Sequence, residues 1–155
     1  MKSLLIALIV TVVSCANVPA QKRISMQNKA ELLVSEAQGG TDQPGFTVIK
    51  NKKDFRNIIK GALGMIELEK EPAINYPKFP GNKKVVVYNL GRFTSGSHRI
   101  TQIKNVSVKN NVLYVEVPAG EPSGGMEIQV MSNPWIIFAV PANYQFTSVE
   151  LKYSK

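Results

Sequence analysis

Beyond residue 80 the chain alternates between short β-branched runs and clusters of turn-forming residues. Lys83-Lys84-Val85-Val86-Val87-Tyr88-Asn89-Leu90 is apolar almost without alternation, the pattern of a strand covered on both faces. Trp135-Ile136-Ile137-Phe138-Ala139-Val140, bracketed by Pro134 and Pro141, predicts a second strand of the same kind. Between them, Val106 and Val108 precede Asn110-Asn111, and Leu113, Val115 and Val117 follow. Period-two alternation on both sides of two residues that tolerate positive φ predicts a β-hairpin. Pro118 to Gly125 is a turn-rich loop, Ile128 and Val130 resume the alternation, and Val149, Leu151 and Tyr153 predict a closing strand. One helix interrupts the pattern. Asp54 is its expected cap, Phe55, Ile58, Ile59 and Leu63 share a face at helical spacing, and Gly64 ends it. Together these elements predict a mostly β (α+β) fold: an antiparallel β-sandwich-like domain with one short covering helix.

The N-terminus follows other rules. Leu4 to Val13 is apolar behind a single cation, Lys2, and a run of about ten residues is short for a bilayer span but fits a secretory signal peptide. The run leads into Val12-Val13-Ser14-Cys15, which resembles a bacterial lipobox with Cys15 as the lipidated residue. Two alternatives stand beside it: cleavage after Ala20, suggested by Val18-Pro19-Ala20, and an uncleaved anchor, disfavoured by the length of the run. The expected organisation is a lipoprotein signal peptide over 1–14, a lipidated N-terminus and tether over 15–30, and a β domain over 31–155. Residues 16 to 29 are polar and without periodicity, as a flexible tether would be. Ala16 and Asn17 follow the cysteine with no aspartate or acidic cluster, so an outer-membrane lipoprotein facing the periplasm is expected.

Composition narrows the chemistry. Cys15 is the only cysteine, so a mature domain that spends it on lipid, or loses it by cleavage, has no thiol for catalysis or a disulfide. The formal net charge is +8, from 19 Lys and Arg against 11 Asp and Glu. That charge is spread out, with short clusters at Lys50, Lys52 and Lys53 and at Lys83 and Lys84, and without the interleaved aromatics of a single-strand nucleic-acid platform. No nucleic-acid partner is expected. A basic face remains open to anionic headgroups near the anchor or to an acidic partner.

The order of elements carries a resemblance. Gly45-Phe46-Thr47-Val48-Ile49-Lys50-Asn51 precedes the helix, Ile74-Asn75-Tyr76-Pro77-Lys78-Phe79 links it onward, and Val85 to Arg92 follows. Val112-Leu113-Tyr114-Val115-Glu116-Val117-Pro118 and Ser132 to Pro141 complete the series, which over residues 31–150 resembles the PrcB C-terminal family of protease-complex subunits. Phe93-Thr94-Ser95-Gly96-Ser97 stands where that family has a Thr-Gly-Gly-Tyr turn. Here the aromatic residue and one glycine are replaced, the family's cysteine before the next strand is missing, and Gly124-Gly125-Met126 occupies that region. The resemblance implies a lipid-anchored accessory protein with an exported protein partner, a protease among the candidates. The altered turn implies a partner of its own.

Candidate chemical groups are few. His98 is the single histidine, with Thr94, Ser95, Ser97 and Thr101 near it in sequence but no neighbouring carboxylate to orient its ring. It is expected to be an ordinary loop histidine. One histidine does not make a zinc site. Glu67-x-Glu69-x-Glu71 lacks calcium-loop chemistry and suits a solvated strand edge, and Gly91-x-x-x-x-Gly96 lacks the Lys-Ser/Thr of a phosphate loop. The expectation is therefore no enzyme, no cofactor, no metal and no small-molecule substrate. Two loops on a rigid scaffold are the candidate partner surfaces: Arg92, Phe93, Thr94, Ser95, Gly96, Ser97 and His98 in one, and Glu121, Pro122, Ser123, Gly124 and Gly125 in the other. The alternative function is a protease inhibitor that acts through these glycine-containing loops.

Overall fold

A computed structural model describes residues 30–62, 77–94, 96, 98–119 and 130–154. Cys15 and the leader, the expected helix end at Leu63-Gly64, the Glu67-x-Glu69-x-Glu71 stretch and Ile128 lie outside the described residues. The elements run in the order β1 (Glu31–Glu36), β2 (Gly45–Ile49), α1 (Lys52–Ala62), β3 (Lys83–Asn89), β4 (Asn105–Lys109), β5 (Val112–Pro118), β6 (Trp135–Pro141) and β7 (Ser148–Ser154). They form a four-stranded sheet in the order β1-β6-β3-β2 and a three-stranded sheet in the order β4-β5-β7. Among the described residues the fold is mostly β, sandwich-like, with one helix, as the hydrophobic pattern predicts.

The two continuously apolar runs, β3 and β6, are the central strands of the larger sheet and pair antiparallel from Lys83 opposite Pro141 to Asn89 opposite Trp135. Their alternate residues serve two cores. Val86, Ile136, Phe138 and Val140 meet Val106, Leu113, Val115 and Val117 of the second sheet. Val85, Val87, Trp135, Ile137 and Ala139 meet Ile49 and the helix residues Phe55 and Ile59. A strand between two apolar layers gains from both faces, about 1.5–3 kcal/mol for each large side chain buried. That gain is why neither run alternates. The hairpin β4–β5 turns on Asn110 and Asn111 at φ 51° and 61°, the paired left-handed geometry of a type I′ turn.

The structure differs from the expectation in two details. The helix is capped by Asn51, whose Oδ1 accepts the Asp54 backbone N–H at 2.9 Å. Asp54 occupies the third helical position and accepts from the Asn51 side-chain amide at 2.8 Å. Its charge there suits the positive end of the helix, and an acidic residue in the first turn resembles a cap in sequence although the true cap, Asn51, lies one turn earlier. The sheets are also not wholly antiparallel, because β5 and β7 pair in parallel, Val112 opposite Ser148 through Pro118 opposite Ser154. The strand between them in sequence, β6, lies in the other sheet and acts as the crossover that a parallel pair requires.

Strand polarity gives the sandwich two distinct ends. At one, the base, lie Ala30 and Glu31, the β2–α1 junction at Lys50 and Asn51, the turn before β3, and the residues after β6. Lys83 and Glu31 pair there at 2.8 Å. At the other end, the apex, lie Glu36, Gly45, Asn89 and Trp135, so the segments 37–44, 90–104 and 130–134 all leave the larger sheet on that side. Pro118 and Ser154, where β5 and β7 finish, belong to the apex as well, because Tyr153 shares a groove with Pro44 and Phe93.

Candidate functional site

The apex is built from loops that bind one another through backbone and side-chain polar groups. Gly40 donates its backbone N–H to the Asn133 carbonyl at 2.9 Å, and the Thr41 N–H reaches Asn89 Oδ1 at 3.2 Å. The Trp135 indole donates to the Gln38 carbonyl at 2.8 Å, while the Gln38 amide donates to the Met131 carbonyl at 2.9 Å. Leu90 N–H reaches the Pro134 carbonyl at 2.9 Å, which fixes the start of the second loop. Several backbone groups of these loops are thus satisfied by a neighbouring segment, which is how irregular backbone is held at fixed geometry.

Asp42 joins all three segments. Its carbonyl accepts the Arg92 N–H at 3.0 Å. Its Oδ1 accepts from the Asn133 amide at 2.8 Å and stands 3.8 Å from Arg92 Nε. Phe93 and Ser132 exchange backbone hydrogen bonds at 2.8 and 2.9 Å, a single antiparallel bridge between the second and third segments. Close backbone approach requires glycine at Gly40, where an added Cβ would lie 2.6 Å from the Asn133 oxygen. It requires glycine again at Gly91, which has φ +91° and would place a Cβ 3.0 Å from Pro44 Cδ.

The surface over this framework is apolar and aromatic. Met131 is 61% exposed, Val130 48% and Tyr153 59%. Pro44, Tyr88, Leu90, Phe93, Leu151 and Tyr153 line a groove of about 360 Å³ with Glu150 at its rim. Burial raises the Tyr88 phenol above its ordinary range, and the neighbouring Tyr153 and Glu150 raise it further. Burial alone raises Tyr153. Both phenols therefore stay protonated at neutral pH. Exposed apolar residues and a groove lined largely by apolar and aromatic side chains, close to the polar residues Asp42 and Arg92 of the same loops, are the materials of a protein-binding surface.

The sequence-predicted loop residues divide among several roles. Arg92 and Phe93 belong to the framework just described, and Thr94 is exposed beside them. Gly96 takes φ +72°. The His98 ring stacks on Phe93 with centroids 3.7 Å apart and planes 23° apart, so the imidazole extends the aromatic surface. Ser95 and Ser97 lie outside the described residues, as do Glu121, Pro122, Ser123, Gly124 and Gly125. The ends of that second loop, Ala119 and Val130, are described, and Ala119 is fixed by its N–H bond to the Ser154 carbonyl at 2.8 Å. Sequence reasoning missed Gln38, Asp42, Asn133 and Met131 entirely. The turn chemistry of Gly39-Gly40 and Asp42-Gln43-Pro44 signalled a loop there, but nothing in it signalled which loops it would meet.

Fold and site together define an α+β β-sandwich domain with a loop-built apolar patch at one end. In comparisons with family models, curated proteins and solved structures, none matches this chain.

Proposed function

We propose that this chain is a non-enzymatic accessory protein of the cell envelope, held to the membrane by lipid on Cys15, that docks an exported protein partner through its apex. One observation carries the reading. Three loops bind one another at the apex, which carries exposed Met131 and Val130 on one loop and Tyr153 at the end of β7, and this end is opposite Ala30, where the described chain begins. A domain tethered at its base presents its apex away from the membrane, where a soluble partner is accessible. The resemblance to the PrcB C-terminal family supports a protease, or a protease complex, as the partner class. A framework whose Asp42, Arg92 and Asn133 bind each other supports rigid recognition, because polar groups already paired lose little freedom on binding.

The test is affinity capture from crosslinked envelope with wild type and with a Met131→Asp, Tyr153→Ser double variant. The same partner should be recovered with wild type and lost with the variant, while the variant's unfolding curve stays close to wild type. Equal recovery with both would refute docking at the apex. Glycine-containing loops at one end of a sandwich also suit protease inhibition. Nanomolar inhibition of a purified peptidase would favour that second reading over a supporting role. Fatty-acid labelling of wild type against Cys15→Ala tests the anchor, and an unlabelled wild type would refute it.

A further inference from the structure

Among the described residues at the base and along the helix, cations outnumber acids, and Glu31 is paired with Lys83. Lys50, Lys52, Lys53, Arg56 and Lys78 are exposed and Lys60 half-buried, and the one acid within this set, Asp54, is held by Asn51. Lys52, Arg56 and Lys60 follow one another at four-residue spacing, which aligns them along one side of the helix. Together with Lys78 they rim a cleft of about 450 Å³ whose apolar lining is Phe55, Pro77 and Phe79. Phe55 and Phe79 are packed edge to face at 5.6 Å, so this lining is continuous with the core. Lys83 and Lys84 lie at the same end, Lys83 paired with Glu31 and Lys84 bound to the Tyr144 carbonyl and over the Phe146 ring.

We propose that this basic face is a docking surface for an anionic phospholipid membrane, with headgroup phosphates among Lys52, Arg56, Lys60 and Lys78. The inference rests on the N-terminal anchoring proposed above, and two observations select a membrane as the occupant. Charge is complementary, since juxtamembrane cations are drawn to anionic headgroups within about one Debye length, roughly 8 Å at physiological salt. The chain also leaves the domain at this end: Ala30 begins the described structure beside Glu31 at the base, and the residues before it include Lys22, Arg23, Lys29 and the apolar run ending near Cys15. A random coil of the length from Cys15 to Ala30 has a root-mean-square span of roughly 20 Å. The base is thereby kept at high local concentration over the bilayer, and a weak electrostatic contact suffices to orient the domain with its apex outward.

The test uses the full chain carrying Cys15→Ala, which removes any lipid but keeps the leader. Binding is measured by co-sedimentation with phosphatidylcholine vesicles and with vesicles containing one-third phosphatidylglycerol, at low and high salt. The apolar leader acts in both lipids and the cations before Ala30 are the same in every variant, so the change in lipid preference between variants reads the basic face. The protein should prefer anionic vesicles, and high salt should abolish the preference. A Lys52→Glu, Arg56→Glu, Lys78→Glu variant should lose the preference by about a hundredfold at low salt, about fivefold for each cation. An Arg99→Glu, Lys104→Glu, Lys152→Glu variant, with the same charge change away from the base, should keep most of it. Equal binding to both vesicle types, or equal loss in both variants, would overturn the proposal. Release by millimolar inorganic phosphate at constant ionic strength would overturn it in favour of a small-anion site. Retention on polyglutamate without vesicle binding would overturn it in favour of an acidic protein. Fatty-acid labelling of the wild type reads the anchor separately, so failure of either idea is visible alone.

Discussion

Replacing Gly40 with alanine should unlock the apex and leave the sandwich core intact. The new Cβ would lie 2.6 Å from the Asn133 carbonyl oxygen, 3.0 Å from Asn89 Oδ1 and 3.2 Å from the Pro134 carbonyl oxygen. Two of these three are backbone atoms of the segment entering β6, a central strand, so they cannot swing aside as a side-chain tip would. Relief requires the 37–44 loop to lift. That movement breaks the Gly40 N–H bond to Asn133, worth about 0.5–1.5 kcal/mol net, and strains the Thr41 and Trp135 bonds beside it. Overpacking of this kind costs about 1–3 kcal/mol, and that is the expected loss of stability. Gly45, five residues on, has nothing within 4 Å of its own added Cβ. Gly45→Ala should therefore change stability by less than about 0.5 kcal/mol. The assay is urea unfolding followed by tryptophan fluorescence. Trp135 is the only tryptophan, and its indole is bonded to the Gln38 carbonyl in the loop that must move. Emission of folded Gly40→Ala should shift, with far-ultraviolet circular dichroism unchanged. Equal stability and identical emission in wild type and Gly40→Ala, or equal losses in the two alanine variants, would refute the interlocked apex.

Other outcomes follow from the same geometry. Asn51→Ala should cost about 1 kcal/mol in urea unfolding, the usual loss for a helix cap, and Asp54→Ala should cost less because Asn51 keeps its bond to the backbone. The Ser132 hydroxyl is 3% exposed as a residue and has no hydrogen-bond partner among the described residues, so Ser132→Ala should be neutral or slightly stabilising by thermal melting. Tyr88 has a folded-state pKa raised by burial, then by Tyr153 and Glu150. A raised folded value means the unfolded chain loses its proton first as pH rises, so the tyrosine's contribution is intact below about pH 10 and declines as the pH climbs through the folded value. Tyr88→Phe should flatten that alkaline decline in urea unfolding, and Glu150→Gln should lower the Tyr88 value in a phenolate absorbance titration.

The core was legible in the sequence wherever burial left a local signature. Val85 to Val87 and Ile136 to Val140 lack alternation because both of their faces are covered, and Leu113, Val115 and Val117 alternate because one face is. Asn110-Asn111 declared its turn by residue type alone. What was missed has a physical reason in each case. β1, Glu31 to Glu36, is a half-buried edge strand with an irregular register between Leu32 and Val34, so no clean period marks it. The parallel union of β5 and β7 is a pairing between strands more than 30 residues apart in sequence, and nothing in either strand's own pattern encodes its neighbour's direction. The apex was half legible. Arg92, Phe93 and His98 are legible as part of a loop on a rigid scaffold, but Asp42 and Asn133 become their neighbours only through the tertiary bonds that join Asp42 to Arg92 and Asn133.

The central claim, that the apex is a partner surface held away from the membrane, is tested most directly by site-specific photocrosslinking in the cell. A photoreactive residue placed at position 131 stands on the exposed apex, and one at position 107 stands on the exposed outer face of β4. The account predicts a discrete crosslinked species from position 131, absent from position 107 and abolished when Gly40→Ala is added. Adducts of equal yield from both positions, or none from position 131 in cells that express the folded protein, would contradict it.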